Sequence, residues 1–459
     1  MIDESLYQAT LQYLYHFVDY SLQRNFRNAP GKFDLTRMFA LAKAVGNPQL
    51  SYPIIHVAGT KGKGSVCALC ASALQAAGYR TGLYTSPHLL DFTERIQVNG
   101  HPIPPEDLVT LVEECKPAIA AIPELTWFEI TTLLAFLHFA RSGADAAVVE
   151  VGLGGRLDAT NIVDPVVSVI TSLSYDHTAL LGDTLSQIAG EKAGIIKPGR
   201  PVVLAPQKKE ARLVVERVAA ERQAPLVQVG SDYLFAPLSH TLESQTLFVW
   251  SRSEQALADI YMEDGDAHGW EPARLTVPLL GHHQVENTAT AYAALLTARK
   301  HGLAVTEEAI QAGFSQVAWP GRFEIIHRHP AVILDCAHNR DSALKLRLTL
   351  DDYFPGLPVV MIFGASEDKD VLGMFTELLP RVSQLIITHS YHPRAMETDN
   401  LAAIAHQFGH RAIIVPDVEK ALEKALHLAN DQDVVLVTGS IFVVAGVRQA
   451  WQNRAPNQP

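Results

Sequence analysis

The stretch that decides the fold is PIIHVAGTKGKGSVCALCASALQAAG, residues 53–78. An apolar strand runs into a glycine-rich loop, and an apolar helix follows. Glycines let backbone N–H groups curl around phosphate oxygens, and the start of the helix adds a favourable dipole. This order of strand, loop and helix is the one that a phosphate-binding loop requires. The residues predicted to line a nucleotide phosphate site are Thr60, Lys61, Gly62, Lys63, Gly64 and Ser65.

The spacing of this loop differs from that of the common phosphate loop. Gly64 separates Lys63 from Ser65, and the loop before Gly62 is short. Lys63 can still reach the β- and γ-phosphates as a point charge. A basic turn is the alternative interpretation, although the flanking strand and helix favour a phosphate site. The sequence contains no NKxD guanine signature, so we expect ATP rather than GTP.

Length, charge and cysteine content restrict the classes of function. The 459 residues carry a formal net charge of −12 and are 48% hydrophobic, which allows sizeable cores and argues against nucleic acid or a membrane as partner. No apolar run reaches the ~18 residues of a membrane span, and the acidic start lacks the apolar region of a secretory signal. Cys67 and Cys70 form a lone CxxC, which we interpret as two buried helical thiols rather than a zinc or redox site. We expect a cytoplasmic protein.

Short apolar runs alternate with longer amphipathic stretches along most of the chain, which predicts an α/β fold with parallel sheets and crossover helices. The strand candidates are Ile54–Ala58, Thr81–Thr85, Ala146–Val151, Val166–Thr171, Val202–Leu204, Val332–Asp335, Val359–Phe363, Leu385–Thr388, Ile413–Val415 and Val434–Thr438. The helix candidates include Ser65–Ala77, Phe128–Arg141, Leu185–Ile195, Glu286–Lys300 and Leu401–Phe408.

Two interruptions of this alternation suggest the domain organisation. Residues 230–278 are polar, dotted with aromatic residues and poor in helical periodicity, and we interpret them as an antiparallel β insertion. The run Trp319-Pro320-Gly321-Arg322 breaks both helix and strand, and a new series of strands and helices follows it. We therefore predict an ATP-binding domain over residues 1–320 and a second α/β domain over residues 325–459.

Candidate metal ligands follow the predicted strands. Ser86 and Glu150 offer the hard oxygen atoms that Mg2+ prefers, and Glu150 lies at the C-terminal end of a predicted parallel strand, where α/β sheets place their sites. A capping carboxylate is the alternative for Glu150. His177, taken alone, is more often a packed or solvated histidine. For Lys192, beside Glu191, the alternative to a role in the site is a lysine that faces solvent.

Eleven segments in order together resemble one known family. They are GTKGKGS at 59–65, TSPHL at 85–89, FTERIQVNG at 92–100, TWFE at 126–129, EVGLGGRLDATN at 150–161, DHTALLG at 176–182, EKAGIIK at 191–197, GHHQVEN at 281–287, WPGR at 319–322, and DCAHN at 335–339 with TGS at 438–440. The loop variant resembles that of the Mur ligase superfamily. The full set resembles folylpolyglutamate synthase, including the bifunctional bacterial dihydrofolate synthase type. Arg340 stands where that family usually has proline.

The resemblance implies a fold and a reaction. The fold is a P-loop Mur-ligase-like ATPase domain followed by a smaller C-terminal Rossmann-like α/β domain. The reaction uses ATP and Mg2+ to phosphorylate the carboxylate of a folate or of dihydropteroate, and the amine of L-glutamate then attacks the acyl phosphate. Binding of the nucleotide by both domains would allow closure to exclude water. We expect a monomer.

The resemblance also implies a role for each candidate residue. The metal ligands are Ser86, Glu150, His177 and Lys192, with Lys192 converted to a carbamate. Further nucleotide contacts are Asn287, Arg322 and Asp335. The pterin segments are Thr126, Trp127, Phe128 and Glu129 together with Leu157, Asp158 and Ala159. Contacts to incoming glutamate are His338 and Ser440. The catalytic set is Lys63, His177, Lys192 and Arg322.

Two other functions compete with this interpretation. The first is a Mur-type ligase that adds an amino acid to a cell-wall precursor. Two features argue against it: the segments TSPHL and FTERIQVNG resemble the folate type, and no obvious sugar-nucleotide domain precedes the loop. The second is a regulator that binds ATP and signals by domain closure. A regulator has no need of separated metal-ligand candidates or of an acid and a histidine in the second domain.

Overall fold

The computed structural model describes residues 4–17 and 34–454. These residues form two compact units. Unit 1 contains the described residues up to Leu238 together with Thr246–Val277 and Gln284–Val317. Unit 2 contains Ser239–Gln245, Pro278–His283 and the described residues from Ala318 onwards.

Unit 1 is built on an eight-stranded sheet with the order β4-β3-β2-β5-β1-β6-β7-β8. Strands β2, β5, β1, β6, β7 and β8 run parallel, whereas β3 and β4 continue the sheet antiparallel. The strands are β1 (Ile54–Ala58), β2 (Thr81–Tyr84), β3 (Ile96–Val98), β4 (His101–Pro102), β5 (Ala146–Glu150), β6 (Val167–Ile170), β7 (Val202–Leu204) and β8 (Leu226–Gln228).

The helices of the first part of the chain connect these strands and cover the sheet. They are α1 (Glu4–Tyr15), α2 (Leu35–Ala44), α3 (Lys63–Ala76), α4 (Pro105–Ala120), α5 (Trp127–Arg141), α6 (Thr178–Leu181), α7 (Leu185–Ala193) and α8 (Lys209–Glu221). Helix α3 is apolar around most of its circumference, and it is buried from Ser65 to Leu74 except at Ser72. Its cysteines, Cys67 and Cys70, are buried free thiols.

A small three-stranded sheet follows β8, with the order β11-β10-β9. Its strands are β9 (Tyr233–His240), β10 (Gln245–Ser251) and β11 (Ala273–Val277), and α9 (Gln255–Asp264) lies between the last two. Phe248 and Trp250 form a separate small core with Ala258 of α9. The predicted β insertion over residues 230–278 did not include this helix. The helix begins directly after a capping box formed by Ser251 and Glu254. Two further helices complete this part of the chain, α10 (His282–Arg299) and α11 (Glu307–Gln316).

Unit 2 has its own six-stranded sheet with the order β12-β13-β17-β14-β15-β16. All neighbours are parallel except β12 and β13. The strands are β12 (Glu324–Arg328), β13 (Ala331–Leu334), β14 (Val359–Phe363), β15 (Val382–Ile387), β16 (Ala412–Ile414) and β17 (Val434–Thr438). The helices are α12 (Arg340–Tyr353), α13 (Val371–Leu378), α14 (Thr398–Gln407), α15 (Val418–Leu428) and α16 (Ile441–Arg454).

The two sheets confirm the prediction of an α/β fold with mainly parallel strands. Strands β1, β5, β14 and β17 are buried along their whole length, as expected for parallel strands covered on both faces. Across the part of the chain that the structure describes, no helix has the length and hydropathy needed to span a membrane.

Candidate active site

The glycine-rich loop lies between β1 and α3 and is closely packed. Gly62 is the N-terminal cap of α3 and has a φ of 85°, a conformation that favours glycine. A Cβ atom there would lie 2.2 Å from Oδ1 of Asn287, and one on Gly59 would lie 1.8 Å from Oγ1 of Thr171. Both positions therefore exclude a side chain. The short distance from Gly62 also shows that Asn287 of α10, one of the residues predicted to contact the nucleotide, lies beside the loop.

Two backbone N–H groups of the loop are already bonded within unit 1. Those of Thr60 and Lys61 donate to the carbonyl oxygen of Ser172, at 2.9 and 3.1 Å. The hydroxyl of Thr60 also bonds to the backbone of Ser174, at 3.2 Å. The N–H groups at the start of a helix have no acceptor within the helix. The donors oriented for a phosphate are therefore those at the beginning of α3, and Thr60 and Lys61 anchor the loop to the segment after β6.

A buried carboxylate faces this helix start. Glu150 is the last residue of β5, and Val57 of β1 is its neighbour in the register. One carboxylate oxygen of Glu150 lies 3.7 Å from Nζ of Lys63. The other accepts a hydrogen bond of 2.9 Å from the backbone N–H of Ser86. Because β1, β2 and β5 are adjacent and parallel, their C-terminal ends bring Lys63, Ser86 and Glu150 together.

Lys192 lies beside the first residue of the loop and is 5% exposed. It belongs to α7, whose start is fixed by a capping box between Thr184 and Gln187. Its Nζ donates a hydrogen bond of 2.9 Å to the carbonyl oxygen of Gly59. Burial lowers the pKa of Lys192 to about 7, and the nearby charge of Lys63 acts in the same direction. A lysine that faces solvent was the alternative interpretation of Lys192, and its burial in the structure shows that this alternative is wrong.

His177 is placed by Asp176 at the start of the short helix α6. Its backbone is in the left-handed region with a φ of 50°, and its side chain is 46% exposed, with Nε2 3.8 Å from Oδ1 of Asp176. The other oxygen of Asp176 lies 3.0 Å from Nζ of Lys61. Within residues 4–17 and 34–454, no three His, Cys, Asp or Glu side chains are grouped as a metal site. The predicted set depends instead on a serine and a lysine beside one carboxylate and one histidine.

Residues 126–129 form the start of α5, and their contacts differ from one another. Thr126 and Glu129 bond reciprocally as a capping box. The Trp127 ring is 4% exposed and packs against the guanidinium of Arg95, 4.6 Å from the ring centroid. The Phe128 ring fills the space above Gly152, where a Cβ atom would lie 2.4 Å from it. Phe128 is therefore in direct contact with the loop that follows Glu150.

That loop runs from Gly152 to Ala159 and is fixed by Asp158. One carboxylate oxygen of Asp158 accepts from the backbone N–H of Leu153 at 2.9 Å, and the other accepts from the backbone and hydroxyl of Thr160 at 3.0 and 2.5 Å. The loop also bonds to the end of α7, because the N–H of Arg156 donates to the carbonyl of Glu191 at 2.8 Å. Burial raises the pKa of Asp158. The second predicted pterin segment, 157–159, is therefore rigidly connected to the helix that carries Lys192.

The remaining candidates lie in unit 2. Asp335, just after β13, accepts backbone hydrogen bonds of 2.8 Å from Phe323 and Ala337. Burial raises the pKa of Asp335 and the charge of Arg322 opposes this. In the described structure Asp335 therefore holds the turn that contains Arg322 against the end of β13.

The two glutamate candidates lie after neighbouring strands. His338 follows β13 and Ser440 follows β17, and the loops bond where the N–H of Gly439 donates to the carbonyl of Ala337 at 3.0 Å. Nδ1 of His338 lies 2.9 Å from the carbonyl oxygen of Cys336. A carbonyl oxygen can only accept, so Nδ1 of His338 carries a proton. Ser440 is buried, and its hydroxyl accepts from the backbone N–H of Phe442 at the start of α16.

Arg340 does not disturb the loop next to His338. It is the first residue of α12, and Asn339 caps that helix through a capping box with Ser342. The first helical position suits proline because its N–H has no acceptor within the helix, and other residues can occupy it as well. The side chain of Arg340 pairs with Glu377 at 3.1 Å.

Three residues near the phosphate loop were missed by sequence reasoning. Asp176 pairs with Lys61, while Thr171 and Ser174 pack against and bond to the loop. Asp176 had a visible signal, since it directly precedes His177 in the DHTALLG segment. Thr171 and Ser174 follow β6, and only the adjacency of β6 to β1 brings them to the loop.

Known proteins match both units of the chain. Residues 57–295 match the Mur ligase middle domain, and residues 321–441 match the glutamate ligase domain of Mur ligases. Dihydrofolate synthase/folylpolyglutamate synthase of Bacillus subtilis is 36% identical over 423 residues, which cover 90% of this chain and 94% of that protein.

Solved structures agree with these matches. Folylpolyglutamate synthase of Mycobacterium tuberculosis, complexed with ADP and AMPPCP, superposes with a TM-score of 0.82 at 32% identity, covering 99% of this chain and 100% of that one. FolC of E. coli in complex with DHPP and ADP gives 0.82 at 32% identity and 98% coverage of both chains. The chain belongs to the folylpolyglutamate synthase/dihydrofolate synthase family of Mur ligases and is an ATP-dependent carboxylate–amine ligase.

Proposed function

We propose that this ligase adds L-glutamate to the carboxylate of a reduced folate and also to dihydropteroate. The observation that carries the proposal is the arrangement at the start of α3, where Lys63 faces the buried Glu150 and the buried Lys192 bonds to Gly59. A phosphate loop beside the carboxylate of Glu150 and a buried lysine suits the transfer of a phosphoryl group from ATP to the carboxylate of a substrate. The name of the Bacillus subtilis relative, dihydrofolate synthase/folylpolyglutamate synthase, supports both substrates.

The chemistry requires activation, because a carboxylate does not form an amide with an amine at neutral pH. Transfer of the γ-phosphoryl group of ATP gives an acyl phosphate and ADP, and the glutamate amine then displaces phosphate. The protein contributes positioning and neutralisation of charge. We assign neutralisation of the γ-phosphate charge to Lys63 and to the first N–H groups of α3. Arg322, Asp335 and Asn287 are assigned to the nucleotide, with Arg322 also neutralising charge that develops during transfer.

The donor set near Lys63 fits Mg2+. Glu150 provides a buried carboxylate. The Ser86 hydroxyl and His177 provide two further donors: the N–H of Ser86 bonds to Glu150, and Asp176, next to His177, pairs with Lys61 of the loop. Mg2+ prefers oxygen ligands and keeps several waters, so the protein needs to supply only part of its coordination shell. When bound, the cation would neutralise phosphate charge and orient the γ-phosphoryl group. We assign it to Ser86, Glu150, His177 and a modified Lys192.

The modification of Lys192 is a carbamate formed with CO2. Only a neutral amine reacts with CO2, and a pKa of about 7 leaves a large neutral fraction at physiological pH. The carbamate would carry a negative charge among Lys63, Lys61 and the cation. Its nitrogen keeps one hydrogen, so the hydrogen bond to the carbonyl of Gly59 can persist. A buried lysine next to two other lysines is therefore better accommodated as an anion.

The acid and the glutamate are assigned to the remaining candidates. The pterin ring is assigned to Thr126, Trp127, Phe128 and Glu129 with Leu157, Asp158 and Ala159, and glutamate to His338 and Ser440. We further infer a monomer that acts in the cytoplasm. Four free, buried cysteines support a reducing compartment.

The test is the product mass after incubation with ATP, Mg2+, L-glutamate and one acid. We expect addition of one glutamate to dihydropteroate and of one or more to a reduced folate, with ADP and phosphate released only when glutamate and acid are both present. Activity with reduced folate alone would reduce the function to a folylpolyglutamate synthase. Equal ATP turnover without glutamate, or glutamate transfer to a cell-wall precursor, would overturn the proposal.

A further inference from the structure

A buried chain of hydrogen bonds connects the strand before the phosphate loop with the loop after Glu150. Nε2 of His56, in β1, lies 2.8 Å from the hydroxyl oxygen of Thr160. That hydroxyl lies 2.5 Å from Oδ1 of Asp158, whose other oxygen accepts from the N–H of Leu153. His56 and Thr160 are 0% exposed and Asp158 is 6% exposed. The three side chains therefore interact without competition from solvent.

The direction of each hydrogen bond follows from the donors around Asp158. Its carboxylate accepts the backbone N–H groups of Thr160 and Leu153, and these bonds favour the ionised form against the burial that raises its pKa. A distance of 2.5 Å is typical of a hydroxyl that donates to a carboxylate. Thr160 has only one hydroxyl proton and gives it to Asp158. Its oxygen must therefore accept from His56, so the proton of His56 is on Nε2.

The environment of the other ring nitrogen agrees with this assignment. Nδ1 of His56 is buried and has no hydrogen-bond partner among the residues that the structure describes. A buried N–H without an acceptor costs more than a bare lone pair in the same place. Burial first and the charge of Lys197 second lower the pKa of His56 to about 3. The ring is thus neutral at physiological pH and has a single proton to donate.

We propose that His56, as the neutral Nε2–H tautomer, is a positioning residue that orients Thr160 and thereby fixes Asp158 for binding of the folate-type acid. The inference rests on the proposed function of the 152–159 loop. Asp158 closes the turn at Gly152 and Leu153, and Phe128 packs on Gly152. Loss of the His56 donor frees Thr160 to rotate away from Asp158. The turn on which the acid is proposed to bind then loses its fixed geometry.

Two pairs of variants separate the hydrogen bond from packing. His56→Gln places an amide N–H where Nε2 was, and Thr160→Ser keeps the hydroxyl. His56→Leu and Thr160→Val remove the donor and the hydroxyl at similar volume. The bond from Thr160 to the Asp158 carboxylate is a hydrogen bond to a charged group, and its loss is worth about a tenfold or larger rise in KM for the acid. We expect that rise in the Leu and Val variants, a change of less than about twofold in KM for ATP, and near-normal values in the Gln and Ser variants.

Tyr52→Phe is the matched control. Its hydroxyl donates a buried hydrogen bond of 3.0 Å to the carbonyl of Phe136 in α5, so the bond that is removed involves neither Thr160 nor Asp158. The control should lose stability and keep KM for the acid. An equal rise in KM in Tyr52→Phe, or equal values for His56→Leu and His56→Gln, would overturn the positioning role.

A spectroscopic measurement tests the tautomer without any turnover. In 15N-histidine-labelled protein, the signals absent from His56→Gln belong to His56, and we expect a neutral ring with its proton on Nε2 between pH 6 and 8. A proton on Nδ1 would overturn the inference even if the Leu and Val variants fail to fold. If the wild-type protein ligates no folate-type acid, the proposed function is wrong, but this spectrum still decides whether the proton of His56 is on Nε2.

Discussion

The Nζ atom of Lys192 donates a hydrogen bond of 2.9 Å to the carbonyl oxygen of Gly59, the first residue of the phosphate loop. The two residues are 133 positions apart in the chain. Their contact joins α7 to the loop and buries a lysine among other lysines, with Asp176 and Asp158 as the nearest opposing charges. A permanently protonated amine is costly in such a place.

Replacement of Lys192 therefore tests whether the residue acts as an anion. Lys192→Ala should lower kcat by at least about 100-fold, the order expected when a charged group at the reacting phosphate is lost. Wild-type activity should decline in buffers freed of CO2 and return when bicarbonate is added. The 13C signal of a carbamate should appear with 13CO2 in the wild type and be absent from Lys192→Arg.

Lys192→Arg serves as the control because it keeps a buried cation that cannot form a carbamate. Full activity in either variant would contradict the carbamate. Full activity in Lys192→Arg alone would show that a positive charge, rather than an anion, is required.

Glu150→Gln tests the metal assignment. The amide keeps an oxygen that can accept from the N–H of Ser86 and removes the charge that faces Lys63. We expect kcat to drop by about 100-fold or more, because a catalytic metal supplies several kcal/mol of charge stabilisation, and the Mg2+ concentration for half-maximal rate to rise. His177→Ala should act in the same direction. Glu113→Gln, which removes an exposed partner of Lys116, is the control that should change neither quantity.

Gly62 and Gly78 allow crowding to be separated from backbone strain. Both have positive φ, 85° and 91°, but a Cβ atom on Gly62 would lie 2.2 Å from Asn287 whereas one on Gly78 meets nothing within 4 Å. Both Ala variants should lose about 1 kcal/mol of stability from the left-handed backbone. Only Gly62→Ala should also raise KM for ATP, measured by initial rates, because it displaces Asn287 and the start of α3. An equal KM for ATP in the two variants would contradict this.

Much of the fold was predictable because buried parallel strands are continuous apolar runs. The predicted bounds of β1, β7, β14 and β17 agree with the structure. Strand β15 begins three residues before its predicted start, because Ser383 and Gln384 interrupt the apolar run at its exposed end. The short antiparallel strands β3 and β4 were not predicted, since two or three residues carry too little periodicity.

The site was predictable only in part, for a different reason. That Lys63 and Glu150 approach each other follows from two adjacent parallel strands that end at one edge of the sheet. The burial of Lys192 and the bond between His56 and Thr160 depend on packing between segments more than 100 positions apart. The T-x-x-E pattern of Thr126 and Glu129 is a capping box. The sequence alone could have predicted this structural role in addition to the role in pterin binding.

A single site for two acids predicts mutual competition. Dihydropteroate presents its benzoate carboxylate to the γ-phosphate, and a folate presents the carboxylate of its terminal glutamate, which lies further from the pterin ring. Each acid should inhibit turnover of the other competitively in initial-rate assays. Phe128→Ala should raise KM for both acids, because its ring supports Gly152 in the proposed pterin region.

Phe139→Leu is the control for loss of an aromatic residue from the core, since Phe139 packs on Gly82, and it should leave both KM values unchanged. Noncompetitive inhibition between the two acids would require separate sites. A rise in KM for one acid only in Phe128→Ala would mean that the pterin rings of the two substrates bind differently.

The last prediction concerns stability at acid pH. Burial lowers the pKa of His56 to about 3, while an exposed histidine in the unfolded chain titrates near 6.5. Between about pH 6.5 and about pH 3 the unfolded chain binds this proton and the folded protein does not. Above about pH 6.5 the group costs no stability, and as the pH falls below that value the free energy of unfolding decreases by up to about 1.4 kcal/mol per pH unit.

His283 has its pKa lowered to about 3, chiefly by burial, so the wild-type slope contains more than one such proton. His56→Gln should therefore reduce the slope of unfolding free energy against pH by about one proton between pH 6 and 4.5, measured by urea unfolding at each pH. An unchanged slope would mean that the ring is already protonated in the folded protein, which is incompatible with a hydrogen bond from a neutral His56 to Thr160.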